Sequence, residues 1–262
     1  MAERLLLFIP AYRCEAQLPR VIAQLDGPMA EWVTELLVVD NQSPDGTVAA
    51  ARAALGALDG LRWTILRNDA NYGLGGSHKV AIAYGQEHGF ETLVVLHGDD
   101  QARVDDLVPL LRAGAHGGLD ALLGARFARG ATLQGYSRVR TVGNHVYNAL
   151  FSLASRRRFF DLGSGLNLFR LEAFADGAHR RFADDLTFNY HLCLHMAARG
   201  WRIRFFPILW RETDQRSNVK LAEQGRRTFG LLGRFVRDRE AFLATDFSTP
   251  GAAYTAHVVA RS

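Results

Sequence analysis

Five short apolar runs constrain this chain more than any other feature. They cover residues 5–9, 35–40, 62–66, 92–97 and 119–124, about 30 residues apart. Within them Leu, Val and Ile follow one another without alternating, as in strands covered on both faces. Between them lie stretches with helical spacing: Leu18-Val21-Ile22-Leu25, Val48-Ala51-Ala54-Leu55, Val80-Ala83-Tyr84 and Leu107-Leu110-Leu111. Such a strand–helix repeat predicts an α/β protein with a Rossmann-like, mostly parallel sheet and helices on both faces. Beyond about residue 126 the rhythm changes. The pattern there predicts helices over 141–155 and 183–199, the second stopped by Gly200. It also predicts strands over 166–170 and 201–209 and a basic-amphipathic helix over 220–241. No Pro-, Gly- or Ser-rich linker interrupts the chain. One domain over 1–245 is expected, in two halves (1–125 and 126–245), with 246–262 as a tail.

At 262 residues and 48% hydrophobic content the chain can bury a core without disulfide or metal staples. Cys14 and Cys193 are too few and too far apart for a disulfide framework or a zinc knuckle, and suggest a reducing compartment. No apolar run approaches the ~20 residues of a membrane helix. The 5–9 run, broken by Pro10, is too short for a signal peptide, so a cytoplasmic protein is expected. The net charge of +4 hides a division. Residues 1–125 hold nine Lys and Arg against sixteen Asp and Glu, and residues 126–262 hold twenty-two against eleven. Nucleic acid, a membrane surface or a phosphorylated ligand can each account for a basic half. No nucleic-acid recognition motif accompanies the basic residues, which removes the first.

Ligands of parallel sheets bind beyond the carboxyl ends of the strands. The first run ends in Pro10-Ala11-Tyr12-Arg13, and the second in Val38-Val39-Asp40-Asn41-Gln42-Ser43-Pro44-Asp45-Gly46-Thr47. After the third comes Asn71-Tyr72-Gly73-Leu74-Gly75-Gly76, a turn whose helix amides can face a diphosphate. The fourth ends in His97-Gly98-Asp99-Asp100-Gln101. Taken singly, each has a plainer use: an Asp after a strand also caps a helix, and the Gly-rich turn fails the dinucleotide fingerprint because its sixth position is His78. Together they place polar and acidic groups along one sheet edge.

In order and spacing these segments resemble family 2 of the nucleotide-sugar glycosyltransferases, and within it the dolichyl/polyprenyl-phosphate sugar synthase branch. The likeness runs from residue 5 to about residue 221. It implies a GT-A fold and a nucleoside pocket of Pro10, Tyr12, Val38 and Asp40, with Gly75 and Gly98 on the nucleotide. Members often carry two Glu where Cys14 and Glu15 stand, so Cys14 departs from the pattern. The family's Asp-x-Asp holds a divalent cation, Mn²⁺ or Mg²⁺, against the donor diphosphate. Here His97 occupies the first position and Asp99 the second, with Gln101 a further ligand. Imidazole suits Mn²⁺ better than Mg²⁺; the alternative for His97 is a hydrogen bond to phosphate or ribose.

The resemblance continues in the basic half. Gly124-Ala125-Arg126-Phe127 matches a segment whose Arg sits near the donor phosphates, and Asp161-Leu162-Gly163-Ser164-Gly165 one that lines the sugar and acceptor pocket. Pro207-Ile208-Leu209-Trp210-Arg211 with Ser217-Asn218-Val219-Lys220 matches an element whose Arg and Lys close over the diphosphate. Spacing leaves Arg211 or Arg216 for the Arg, with Lys220 for the Lys. Asp184 and Asp185 stand where many members carry the base that deprotonates an acceptor hydroxyl; the alternative is helix capping. Arg156–Arg158 and the 220–241 helix suit either a peripheral contact with the inner membrane face or packing on the core with solvated arginines. The implied activity is metal-dependent, inverting transfer of a sugar from a UDP- or GDP-linked donor to a polyprenyl phosphate or a hydroxyl. The alternative is a nucleotide-sugar-binding protein with lost or altered catalysis.

Overall fold

The computed structural model describes residues 3–214 and 221–262. The first half follows the strand–helix repeat: β1 (Leu5–Ala11), α1 (Leu18–Ala23), β2 (Glu35–Asp40), α2 (Thr47–Leu55), β3 (Trp63–Asn68), α3 (Gly73–Glu87), β4 (Thr92–Leu96) and α4 (Val108–Arg112). Every residue of β1, β2 and β4 is buried, as their unbroken apolar runs require. Successive side chains enter opposite layers. Leu6, Phe8, Leu37 and Val39 face one layer, which contains α3 residues Val80 to Ile82. Leu5, Leu7, Ile9 and Val38 face the other, with α1, α2 and α4.

The second half comprises β5 (Ala121–Ala125), β6 (Thr132–Gln134), α5 (Arg138–Ser155), β7 (Leu166–Arg170), α6 (Phe188–Ala198), β8 (Ile203–Pro207), β9 (Leu209–Arg211), α7 (Leu221–Arg237), α8 (Arg239–Ala244) and β10 (Ala256–Arg261). The main sheet has the order β10-β3-β2-β1-β4-β7-β5-β8, and β6 pairs with β9 in a second, small sheet. β7 runs antiparallel to both β4 and β5, and β10 antiparallel to β3. The remaining pairs of the main sheet are parallel.

Four expectations change. The 246–262 segment contains a sheet strand, β10, that covers the edge of β3. The helix expected over 183–199 begins only at Phe188, because Ala183 to Thr187 form a turn. The strand expected over 201–209 divides at Ile208 into β8 and β9, which serve different sheets. The helix expected over 220–241 breaks at Asp238, whose carboxylate accepts the Ala241 N–H at 2.9 Å and starts α8. Among the described residues no helix is long and apolar enough to cross a membrane.

The α3–α6 layer buries several imidazoles among aromatic rings. His191 stacks on Phe242 with centroids 5.3 Å apart and an interplanar angle of 10°. Burial lowers His78 to about 3 and His179 and His191 to about 4. The unfolded chain protonates these groups near pH 6.5 while the folded one resists. Their contribution is therefore intact above pH 6.5 and is lost as pH falls towards 4. The thermal midpoint should drop across that window, and His191→Phe should flatten the drop; an unchanged acid limb in the variant contradicts the assignment.

Candidate active site

The ends of β1, β2 and β4 lie along one sheet edge, with Ala11 beside Asp40. The chain leaving β4 passes close to the end of β1, and the Gly98 N–H donates to the Pro10 carbonyl at 3.3 Å. A Cβ at Gly98 would stand 3.0 Å from that oxygen and 3.3 Å from Cys14 Sγ. Glycine is needed for this approach. Cys14 packs beneath it, its thiol pushed up to about 12 by burial. That residue fills the core and does not face a ribose.

Asp40 is fully buried. Both its oxygens accept the Ser43 N–H at 3.2 Å, and Arg67 Nε lies 3.3 Å away. It thus braces the turn into α2, the plainer of its two readings. The Val38 side chain lies in the core, leaving only its backbone for any ligand. Tyr12 is 43% exposed, with the Arg13 guanidinium 5.4 Å from its ring. Asn41, not singled out from the sequence, accepts from Asn68 Nδ2 at 3.0 Å and from the Tyr72 N–H at 2.8 Å. It ties β2, β3 and α3 together at this edge.

At the end of β4, His97 packs against Gly165, where a Cβ would come within 3.1 Å of His97 Cβ. The His97 N–H donates to the Gly165 carbonyl at 2.9 Å. Burial and the nearby Arg126 charge lower His97 to about 4, so its ring is neutral at neutral pH. Among the described residues that ring makes no hydrogen bond. Burial, with Asp100 adding to it, raises Asp99 to about 6, against the Gln101 N–H 3.3 Å from its carboxylate. Asp100 is spoken for: Arg20 Nε lies at 2.8 Å, Gln24 Nε2 at 3.3 Å and Arg211 Nη2 at 3.7 Å. Among the described residues no three His, Cys, Asp or Glu side chains converge as a metal cage. One half-buried carboxylate and one neutral imidazole fit a cation site completed by substrate oxygens. Gln101 is fixed through its carbonyl, which accepts the Arg211 N–H at 2.8 Å.

Arg126 and Asp161, expected on the diphosphate and in the sugar pocket, grip each other instead. Arg126 Nε and Nη2 donate to the carboxylate at 2.8 and 2.7 Å, and the Arg126 backbone N–H donates at 2.9 Å. The guanidinium also lies 4.9 Å from the Trp210 ring. Its charge still reaches His97 and Asp99. Ser164 is buried, with Oγ donating to the Leu166 carbonyl at 3.1 Å, and with Asp161 and Gly163 it lines a small cavity against α6. Arg211 reaches the edge beside Asp100, whereas Arg216 and Lys220 lie outside the described residues.

The acidic pair is committed as well. Asp184 accepts from Lys79 Nζ at 2.6 Å, Tyr254 Oη at 2.9 Å and the Thr249 N–H at 2.8 Å. Burial works to raise its carboxyl, but Lys79 and Thr249 outweigh it and hold it below the usual range. Asp185 accepts from the Thr187 N–H at 2.8 Å and from Arg227 Nη1 at 2.8 Å. Gly75, expected on the nucleotide, donates its N–H to the Asp184 carbonyl at 2.7 Å. A Cβ there would lie 2.4 Å from the Ala183 carbonyl. The glycines of this turn admit the 183–188 segment, and the Gly75 amide is not free for a phosphate. Lys79, which sequence reasoning missed, was visible as a lone lysine in the buried Gly75–Ile82 stretch of α3.

A family model described as glycosyl transferase family 2 matches residues 7–177. The polyprenol monophosphomannose synthase of Mycolicibacterium smegmatis is 25% identical over 250 residues, covering 90% of this chain and 91% of that protein. The undecaprenyl-phosphate mannosyltransferase of Micrococcus luteus is 30% identical over 220 residues, covering 80% and 85%. Among solved structures, the glucosyl-3-phosphoglycerate synthase of Mycobacterium tuberculosis with UDP superposes with a TM-score of 0.63 at 18% identity, covering 98% of this chain and 87% of that one. The mannosyl-3-phosphoglycerate synthase of Rubrobacter xylanophilus gives 0.62 at 14%, covering 95% and 78%. The fold is therefore GT-A.

The Lys79–Asp184 pair provides a direct test of this packing. Asp184→Asn leaves a buried ammonium without its counter-ion and should cost about 3–5 kcal/mol in urea unfolding. Replacing both partners by Met should recover most of that loss. A single variant as stable as the parent contradicts the pair's structural role.

Proposed function

Because the chain belongs to glycosyl transferase family 2, and is thus a glycosyltransferase, we propose that it moves a hexose from a nucleotide-sugar donor to a polyprenyl phosphate. Mannose is the sugar in the names of the two curated relatives, and UDP- and GDP-linked sugars are the two donors to compare. The observation that carries the acceptor class is the commitment of Asp184 and Asp185 to Lys79, Thr187 and Arg227. A hydroxyl acceptor needs a base to take its proton, whereas a phosphate is already an anion. In this reading Asp99 and His97, with Gln101, hold a divalent cation, Mn²⁺ rather than Mg²⁺ on account of the imidazole. When bound, the cation offsets the charge that gathers on the leaving diphosphate.

Arg211, with Arg216 and Lys220, grips the diphosphate. Arg126 adds positive potential while Asp161 keeps it in place. Pro10 and Tyr12 flank the nucleoside, Asp40 braces the turn beside it, and Gly98 and Gly165 let the Pro10 carbonyl and His97 pack closely at the strand ends. An acceptor phosphate oxygen forms the new bond to the anomeric carbon as the bond to the diphosphate oxygen breaks. One in-line displacement of this kind inverts the configuration. A lipid acceptor sets the work at the inner membrane face, by peripheral contact.

Asp99→Ala should lower metal-dependent transfer by roughly 100-fold or more, read by release of nucleoside diphosphate with a polyprenyl phosphate present. Full activity, or turnover unaffected by chelator, would sink the cation assignment. Asp185→Asn should change transfer by less than about tenfold, since no proton is abstracted. A loss of about 10²–10⁴-fold would instead mark Asp185 as a base and the acceptor as a hydroxyl. Binding of a nucleotide sugar without any transfer would favour a protein with lost catalysis.

A further inference from the structure

On the outer face of α5, Val139, Val142, Val146 and Leu153 are exposed, Val139 at 80% and Leu153 at 78%. At the helical repeat they fall within about 60° of arc and run about 21 Å along the axis. Phe229 and Val236 of α7, two turns apart, are exposed as well. The Phe229 ring lies 5.6 Å from that of Tyr147, which joins α7 to α5. The charge of the two helices is mostly of one sign, Glu223 of α7 being their one carboxylate. Residues 138–158 contain five arginines and residues 224–237 four, with no carboxylate in either stretch. Arg138, Arg156, Arg158, Arg226, Arg234 and Arg237 are all exposed.

An apolar stripe of this length edged by cations needs an occupant that is apolar and anionic together. A second copy in a two-fold contact would bring the same arginines face to face, which charge opposes. An anionic bilayer meets both requirements: Val, Leu and Phe enter the acyl boundary, and arginines reach lipid phosphates. We propose that the α5–α7 face docks this protein on an anionic phospholipid surface. The proposal extends the polyprenyl-phosphate reading, for the same helices border the candidate site. Arg227 of α7 holds Asp185, and Arg140 of α5 lies 2.7 Å from Glu212, the neighbour of Arg211.

The test is co-sedimentation of the full chain, without donor or acceptor, with phosphatidylcholine vesicles with or without phosphatidylglycerol. The parent should pellet with the anionic vesicles, less so at high salt. The double variant Val142→Asp/Leu153→Asp should bind them roughly tenfold more weakly at an unchanged thermal midpoint. It should still act on a short, water-soluble prenyl phosphate but lose transfer to a long-chain one in vesicles. Failure of the parent to pellet, or equal pelleting of the variant, overturns the proposal. So does a dimer in gel filtration that the variant converts to a monomer, which assigns the face to a second copy. Vesicle binding without transfer to any prenyl phosphate upholds this surface and rejects the acceptor reading.

Discussion

The reversed strand β7 is the constraint on which the rest of this site depends. It lies between β4 and β5 and opposes both, with Leu96 opposite Leu166 and Leu123 opposite Asn167. A parallel strand there would start at the far edge of the sheet. An antiparallel one starts where its neighbours end. That is why Gly165, just before β7, meets His97, just after β4, and why Arg126, just after β5, finds Asp161. Residues distant in sequence converge at one edge because one strand runs backwards. The close passage at Gly165 follows from that crowding, whereas Gly98 meets the end of the parallel neighbour β1.

Two buried ion pairs then brace this edge, and one of them, Lys79–Asp184, crosses between the halves. Arg126–Asp161 joins β5 to the segment entering β7, using the planar fork of Arg and adding the Arg126 backbone N–H. Lys79–Asp184 joins α3 to the turn before α6, and Tyr254 and Thr249 bring the C-terminal segment to the same carboxylate. A buried pair is weak evidence for stability, since desolvation offsets much of the attraction. Its better-founded effect is geometric: each charge tolerates only the arrangement that supplies its partner. In both cases the pair fixes where a loop at the sheet edge must lie.

Much of the fold was legible because burial writes itself into sequence as unbroken apolar runs, which is how β1, β2 and β4 were found. β10 was not legible: Ala256–Arg261 is short, one-third polar and at an edge, so only pairing with β3 makes it a strand. The 183–187 turn was taken into a helix because its backbone is held by tertiary contacts from α3, which helical spacing does not report. The ordered set of motifs located the right edge, but not what each side chain does there. Asp40, Arg126, Asp161, Asp184 and Gly75 all stand at or near it, bonded to one another or to backbone. Chain order tells which charges share an edge; only the folded partners tell which of them are already neutralised.

That distinction also recasts the division of charge along the chain. Several arginines of the basic half neutralise carboxylates near the site: Arg126 holds Asp161, Arg140 faces Glu212, and Arg227 holds Asp185. Arg211 and Arg20 share Asp100. With those subtracted, seven of the remaining basic residues, Arg138, Arg156–Arg158, Arg226, Arg234 and Arg237, lie on or beside α5 and α7, near exposed Val, Leu and Phe. A donor diphosphate needs only a few cations in a confined place. Arg138 at the start of α5, Arg156–Arg158 after its end and Arg226, Arg234 and Arg237 on α7 are spread more widely, as the proposed contact with an extended anionic surface requires. The proposed function and the proposed docking face would together assign the asymmetry to two anions of different dimension, a point-like diphosphate at the strand ends and a sheet of phosphates beside them.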